Sequence, residues 1–440
     1  ERTIIFLQFI AIIFAFGIVI FVHEFGHFLL ARLNKIDVSV FSIGFGPKVF
    51  AFKDKKGTEW QFAIIPLGGF VKFWGDDNLA SIRTEVDNSL CVSDKAKFDT
   101  APLVSRFLTV VAGPLANFLF SVFIFSLIFL IQGISVGEPV VGKINGFYEA
   151  KYDLKVNDKI LKVEDKEVIL FSDIFSNINN PNSELTKFTI KRGSLVKEIE
   201  LPYLLQPIVE AIEPLSAASL AGLEIGDVFL SVEGKKLLDF NDLKKKIINS
   251  DGKVMKVTIF RDGKTLQKSI RPVLGPIEDP NGNFDTIYRI GVAGGPIFYP
   301  HTKTPSVWQA LMLGVKATKG VIVASFKGIK GIVSGQVDPK HLSGPIGIAH
   351  AVSDSIKSGL VAFLSLMAII STGIGFVNLL PIPILDGGHL LLLMYECFSR
   401  KKPTEEVIRF SMLFGLVLLV SLLMFTTFND ISRLVLFLSF

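Results

Sequence analysis

Four long apolar stretches without a charged residue constrain this chain before anything else does. They run from Ile4 to Val22 (continuing apolar to Leu33), from Phe107 to Ile131, from Val361 to Ile384 and from Phe410 to Phe428. Each is long enough to cross about 30 Å of hydrocarbon as a helix. Lipid offers no partner for backbone amides, so a helix, which satisfies them internally, is the form such segments take. Half of the 440 residues are hydrophobic and 40 are Phe, which is too apolar for an ordinary soluble protein. The first stretch, with Arg2 ahead of it, has the outline of a signal peptide. It outruns a leader's apolar region and ends in a polar cluster, so it reads as a helix of the mature protein. The expected fold is therefore a polytopic α-helical membrane protein with four transmembrane helices, in segments 1–33, 107–132, 361–385 and 410–430.

The charges give an orientation. Arg32 and Lys35 follow the first span, Arg106 precedes the second, and Arg400, Lys401 and Lys402 lie between the third and fourth. The positive-inside rule makes 34–106 and 386–409 cytoplasmic, and it puts both termini and the long segment 132–360 outside. The net charge of +5 is modest and its clusters read as solvated faces, so no nucleic-acid partner is expected. Cys91 and Cys397 both fall on the cytoplasmic side, where they form no disulfide framework and read as structural.

Segment 132–360 contains a repeat at an offset of 69 residues. LKVNDKILKVEDKEV from Leu154 matches LEIGDVFLSVEGKKL from Leu223, and TIKR at 189–192 matches TIFR at 258–261. Alternating strands and a short helix in each copy predict two small mixed α/β domains, 136–206 and 207–275. The second copy resembles a PDZ domain of the bacterial protease-associated type, a module that takes an extended peptide as an added strand. The first copy has Asn157 where the second has a turn glycine, and Asn tolerates the left-handed backbone such a turn needs. Peptide capture and a purely steric role both remain open for the pair. Residues 276–360 read as a linker with a short strand near RIGVAG, followed over 305–335 by an amphipathic helix. That helix suits the membrane interface or packing against the domains.

The polar cluster at the end of the first stretch is HEFGH. His23 and His27, four apart, share one helical face and can offer two imidazoles to one metal ion. Glu24 is placed to take a proton from water beside that metal, as in zinc hydrolases. A catalytic zinc needs a third protein ligand, and NLLPIPILDGGHLLL at 378–392 offers Asp386 or His389 on the same membrane face. His301, His341 and His350 lie on the opposite side of the inferred topology. Two other classes are compatible with these residues: a membrane metal-binding transporter, and a non-catalytic PDZ membrane scaffold.

HEFGH paired with NLLPIPILDGG, GPLANF at 113–118, IPLGGFVKFWGD at 65–76 and LSGPIGIA at 342–349 together resemble the site-2 protease family, the M50 intramembrane zinc metalloproteases. The likeness is closest to the subgroup of the bacterial regulator-of-sigma-E type and covers essentially the whole chain. It implies that His23, His27 and Asp386 ligate Zn2+, that Glu24 is the general base and that Asn378 contacts the substrate backbone. It also implies a membrane-associated β-loop over about 62–76, where Gly68, Gly69 and Phe70 would hold an extended substrate. The implied substrates are single-pass transmembrane proteins, such as anti-sigma factors already trimmed outside, and signal peptides, with the lipid bilayer as surroundings. The implied place is the bacterial inner membrane, with the PDZ pair periplasmic as a size filter and the active site toward the cytoplasm.

Overall fold

The computed structural model describes residues 2–74, 96–178, 185–279 and 284–438. Cys91 and positions 75–76 of the expected β-loop lie outside them. In chain order, helix α1 (Arg2–Leu33) leads to strands β1 (Val38–Lys53) and β2 (Glu59–Phe73) and helix α2 (Leu103–Gln132). Next come β3 (Val141–Ile144), β4 (Lys159–Val163), β5 (Thr186–Arg192), β6 (Leu195–Leu201), β7 (Leu205–Ile212) and β8 (Val228–Val232). Helix α3 (Phe240–Ile248) precedes β9 (Met255–Arg261), β10 (Lys264–Ile270), β11 (Val273–Glu278), β12 (Phe284–Arg289), β13 (Val292–Pro296) and β14 (Phe298–Pro300). The chain ends in α4 (Val307–Val333), α5 (Pro345–Lys357), α6 (Leu360–Asn378), α7 (Asp386–Ser399) and α8 (Glu405–Leu438). Two compact units result, one of Glu1–Ile128, Val307–Ile329 and Val352–Phe428, the other of Phe129–Ser306, Lys330–Ala351 and Asn429–Phe440.

Among the described residues five helices, α1, α2, α4, α6 and α8, are long and apolar enough to cross a membrane. This is one more than the four expected. Lysines at 316, 319, 327 and 330 break α4 into short apolar runs, so a search for uninterrupted stretches passes over it. Helix α6 stops at Asn378 rather than running on to Ile384. Pro381 and Pro383 have no amide hydrogen to give a helix, and Ile384 takes a left-handed backbone (φ 83°) before Asp386 opens α7.

In the first unit α1 ends where Lys35 turns left-handed (φ 59°) and the Ile36 amide donates to the Ala31 carbonyl at 2.8 Å. The chain returns at once as the β1–β2 hairpin. Phe28, Ala31, Ile36, Val38 and Phe41 share one core with Phe98 and Val110, which packs the hairpin onto the end of α1. Arg32 reinforces the junction by donating to Asp54 and, at 2.8 Å, to the Thr58 hydroxyl. Residues 40–43 pair with 59–62 on one side and with 69–72 on the other, which leaves 69–72 as an outer edge of this small sheet.

The second unit reproduces the repeat down to single hydrogen bonds. Arg192 grips Asp158 at 2.7 and 2.8 Å and donates to the Asp153 carbonyl at 3.0 Å. Arg261 likewise grips Asp227 at 2.6 and 2.7 Å and donates to the Gly222 carbonyl at 2.9 Å. Asn157 (φ 71°) and Gly226 (φ 97°) both adopt the left-handed turn. The stretch read as a linker carries β11 to β14 rather than one short strand, and these complete both copies. Strand β13 pairs with β7, and β14 pairs with β3. Ile297 and Phe298 are thereby buried in the first copy's core, so the second copy is inserted within the first. The two copies together leave and rejoin the chain at one place, where Ile134 and Ser135 pair with Lys303 and Thr302. Near the C-terminus the buried Asp430 accepts amides from Gly344 (3.1 Å) and Gly347 (2.8 Å), which caps the start of α5.

Candidate metal centre

Helix α1 presents His23 and His27 one turn apart, and the first residue of α7 brings Asp386 to them. His23 Nε2 lies 3.3 Å from His27 Nε2, and Asp386 Oδ2 lies 3.2 and 3.5 Å from these two nitrogens. The three form the one His/Cys/Asp/Glu group of metal-binding geometry among the described residues. His389, the alternative third ligand, is not part of it. Zinc–ligand bonds of roughly 2.0–2.1 Å at tetrahedral angles separate ligand atoms by roughly 3.3 Å, which is the spacing found. Asp386 Oδ2 is buried and makes no hydrogen bond, an uncompensated cost at membrane depth unless a cation takes its lone pair. The donor set and the orphaned oxygen both fit Zn2+, and His23, His27 and Asp386 are the residues that would hold it.

The ligands are held from behind. The Nδ1 atom of His27 is 2.9 Å from the Thr109 carbonyl of α2, so Nδ1 carries the proton and Nε2 is left free for a metal. His27 lies close over Gly113, where a Cβ would stand 2.2 Å from Nε2. On α7, a Cβ at Gly387 would meet the Leu380 carbonyl at 2.1 Å. The glycine after Asp386 thus lets the carboxylate approach over the irregular 379–385 segment.

The other sequence-predicted residues come close as well. Glu24 is buried beside the triad, 9% exposed. Asn378, the last residue of α6, sets its amide 3.2 Å from His23 Nε2. Gly69 stands so near Glu24 that a Cβ there would come 2.9 Å from the glutamate Cγ. Gly68 lies against the Phe45 ring, and Phe70 stacks on that ring at 6.3 Å between centroids. Sequence reasoning missed Phe45, Thr109, Gly113 and Asn117, whose amide is 3.3 Å from His23 Nδ1. For the last two the GPLANF motif was the available signal.

A buried His–His–Asp triad and an adjacent glutamate, carried on apolar helices, define a zinc peptidase site of the HExxH class set within a membrane protein. Comparison with known proteins agrees. The model of peptidase family M50 matches residues 11–422. The regulator of sigma E protease of Haemophilus influenzae is 31% identical over 96% of this chain and 98% of its own length. RseP of Escherichia coli K12, a regulator of sigma-E protease, is also 31% identical over 96% and 98%. RseP of Salmonella typhimurium is 30% identical over the same shares. The chain belongs to peptidase family M50, and it is a multi-pass intramembrane zinc metalloprotease.

Proposed function

We propose that this protease cuts peptide bonds inside the transmembrane segments of single-pass proteins, as a late step of regulated proteolysis in the bacterial inner membrane. Anti-sigma factors and signal-peptide remnants are the substrates that the family resemblance implies. The observation that carries the reading is the triad, with three ligand atoms 3.2–3.5 Å apart beside a buried glutamate and Asn378.

A helical substrate hides its carbonyls in its own hydrogen bonds and must be drawn out before water attacks. The outer edge at 69–72 would take the unwound segment as an added strand, with Gly68, Gly69 and Phe70 along it. Asn378 would hold the substrate backbone beside the triad. Zinc, when bound, supplies Lewis acidity that polarises the carbonyl and makes water acidic. Glu24 would then take the proton of the attacking water and pass it to the leaving amine. Purified protein should cleave a model transmembrane peptide, and Glu24→Gln should bind zinc yet cleave about 10²–10⁴-fold more slowly. A near-normal rate in the variant would remove Glu24 from this role.

Parity and the positive-inside charges together support one orientation, with the triad toward the cytoplasm. Helices α1 and α6 both bring their C-terminal ends to one site, so both run in the same direction across the bilayer. With α2 crossing back between them, α4 does not cross, and it lies along the outer surface with its lysines toward the headgroups. Its packing supports this, since a Cβ at Gly314 would meet the Val122 carbonyl, in the second half of α2, at 2.6 Å. The inserted PDZ-like copies are then periplasmic, and we assign to them the exclusion of substrates with bulky folded ectodomains. Because 134–135 and 302–303 already pair, residues 136–301 can be replaced by a short linker. That variant should cleave short-tailed and long-tailed substrates alike, whereas the full-length protein should reject the long-tailed one. Equal discrimination by both proteins would end the size-filter reading.

A further inference from the structure

We propose that Asn117 is a positioning residue for the metal centre, its side-chain carbonyl accepting the Nδ1 proton of His23 so that Nε2 stays free to bind metal. The inference rests on the metal-site reading above. The two histidines need the same tautomer, because both turn Nε2 toward Asp386. His27 is fixed in that tautomer by a backbone carbonyl, which only accepts. His23 Nδ1 faces the Asn117 amide at 3.3 Å. That amide turns its NH2 group to Nδ1 while the Asn378 amide turns its own to Nε2 at 3.2 Å, so whichever ring nitrogen carries the proton faces a donor. Asn117 is fully buried, and its Oδ1 has no partner. A half-turn of the amide about its terminal bond brings Oδ1, the atom without a partner, to the Nδ1 proton and turns the NH2 group into the place Oδ1 leaves.

Asn117 is also anchored as a positioning residue has to be. Its backbone carbonyl accepts the hydroxyls of Ser121 at 2.9 Å and of Ser371 at 3.0 Å, so α6 and α2 together fix where the amide stands. A Cβ at Gly375 would come 3.2 Å from the Asn117 Cβ, which shows how little room the side chain has to leave its place. A polar residue kept only to glue helices would need hydrogen-bonding capacity but no particular role toward His23. The carbonyl assignment demands an acceptor.

The test measures zinc affinity by chelator competition on the purified full-length protein, with His23→Ala as the reference for a lost ligand. Asn117→Leu keeps the volume, removes the acceptor and should weaken zinc binding about 10–100-fold. Asn117→Asp as a carboxylate can only accept, and it should hold zinc within a few-fold of wild type or more tightly. Unfolding of the metal-free proteins should be alike for wild type and Asn117→Asp. Zinc binding by Asn117→Leu within threefold of wild type would overturn the proposal. So would Asn117→Asp losing zinc, because the amide would then act as a donor or as interhelical packing. That comparison holds even if the Leu variant does not fold. Wild-type protein that binds no zinc would instead defeat the metal site itself.

Discussion

His27 rests directly on Gly113, with space between ring and backbone for a hydrogen atom but not for a methyl group. A Cβ at 113 would lie 2.2 Å from Nε2 and 2.5 Å from Cε1. The ring cannot retreat without breaking the 2.9 Å bond from its Nδ1 to Thr109. Gly113→Ala is therefore expected to displace a metal ligand while α2 stays helical. Cleavage should fall by about 10²-fold, the typical cost of misplacing a reacting group by roughly 1 Å. Rate measurement on the purified variant, with helical content by circular dichroism as control, checks this.

Metal analysis separates the two residues the sequence offered as third ligand. Asp386→Ala and His27→Ala should each lose zinc, and His389→Ala should retain one per chain. Retention in Asp386→Ala together with loss in His389→Ala would reverse the assignment.

The start of α2 is tied to α7 by an ion pair. Arg106 donates to both Glu396 oxygens, at 2.9 and 2.7 Å, and both side chains are largely buried. Removing one partner strands the other, so Arg106→Met or Glu396→Leu alone should cost about 2–3 kcal/mol. The double variant should be close to wild type. Arg106 also holds the Glu396 carboxyl below the usual carboxylate range. A carboxyl with a depressed folded pKa contributes stability above its unfolded pKa, roughly 4.3, and loses it as the pH falls through the folded value. The stability gap between wild type and Glu396→Gln should thus be full at pH 7 and close in acid below pH 4. Unfolding in detergent at several pH values measures it.

The repeated Arg–Asp clasp gives a paired prediction. Asp227 is fully buried, holding Arg261 and the Glu224 amide, and Asp158 does the same with Arg192 and Lys155. Asp227→Ala should destabilise the inserted copy by about 3 kcal/mol, since it takes the two-point partner from the Arg261 guanidinium and leaves the Glu224 amide unpaired. Hydrogen exchange on the intact protein should show β8 and β9 opening in that variant while α1 and α6 stay protected. Uniform loss of protection would contradict the clasp's local role.

What the sequence disclosed follows how far apart the partners lie. His23 and His27 sit on one face of one helix, and the prolines after Asn378 announce broken backbone, so these were legible from local spacing. The 69-residue repeat was legible because both copies keep the same turn and the same arginine. Strand β14 was not, since its partner β3 lies on the far side of the whole second copy and nothing near Phe298 announces the pairing. Asn117 and Gly113 were visible only as letters in a motif, because their work is done toward rings on another helix. Asp430 gave no local signal, because the Gly344 and Gly347 amides it accepts lie more than 80 residues earlier in the chain.

The metal ligands stand at opposite ends of the gene's reading order. His23 and His27 leave the ribosome with the first helix, whereas Asp386 follows only after α6 has been made. No complete zinc site exists on a nascent chain, and a truncated product carries two histidines with nothing to close them. Proteolytic competence is therefore withheld until α6 and the start of α7 have been synthesised and inserted. An enzyme that opens other proteins' membrane segments is inert while its own are still being laid down.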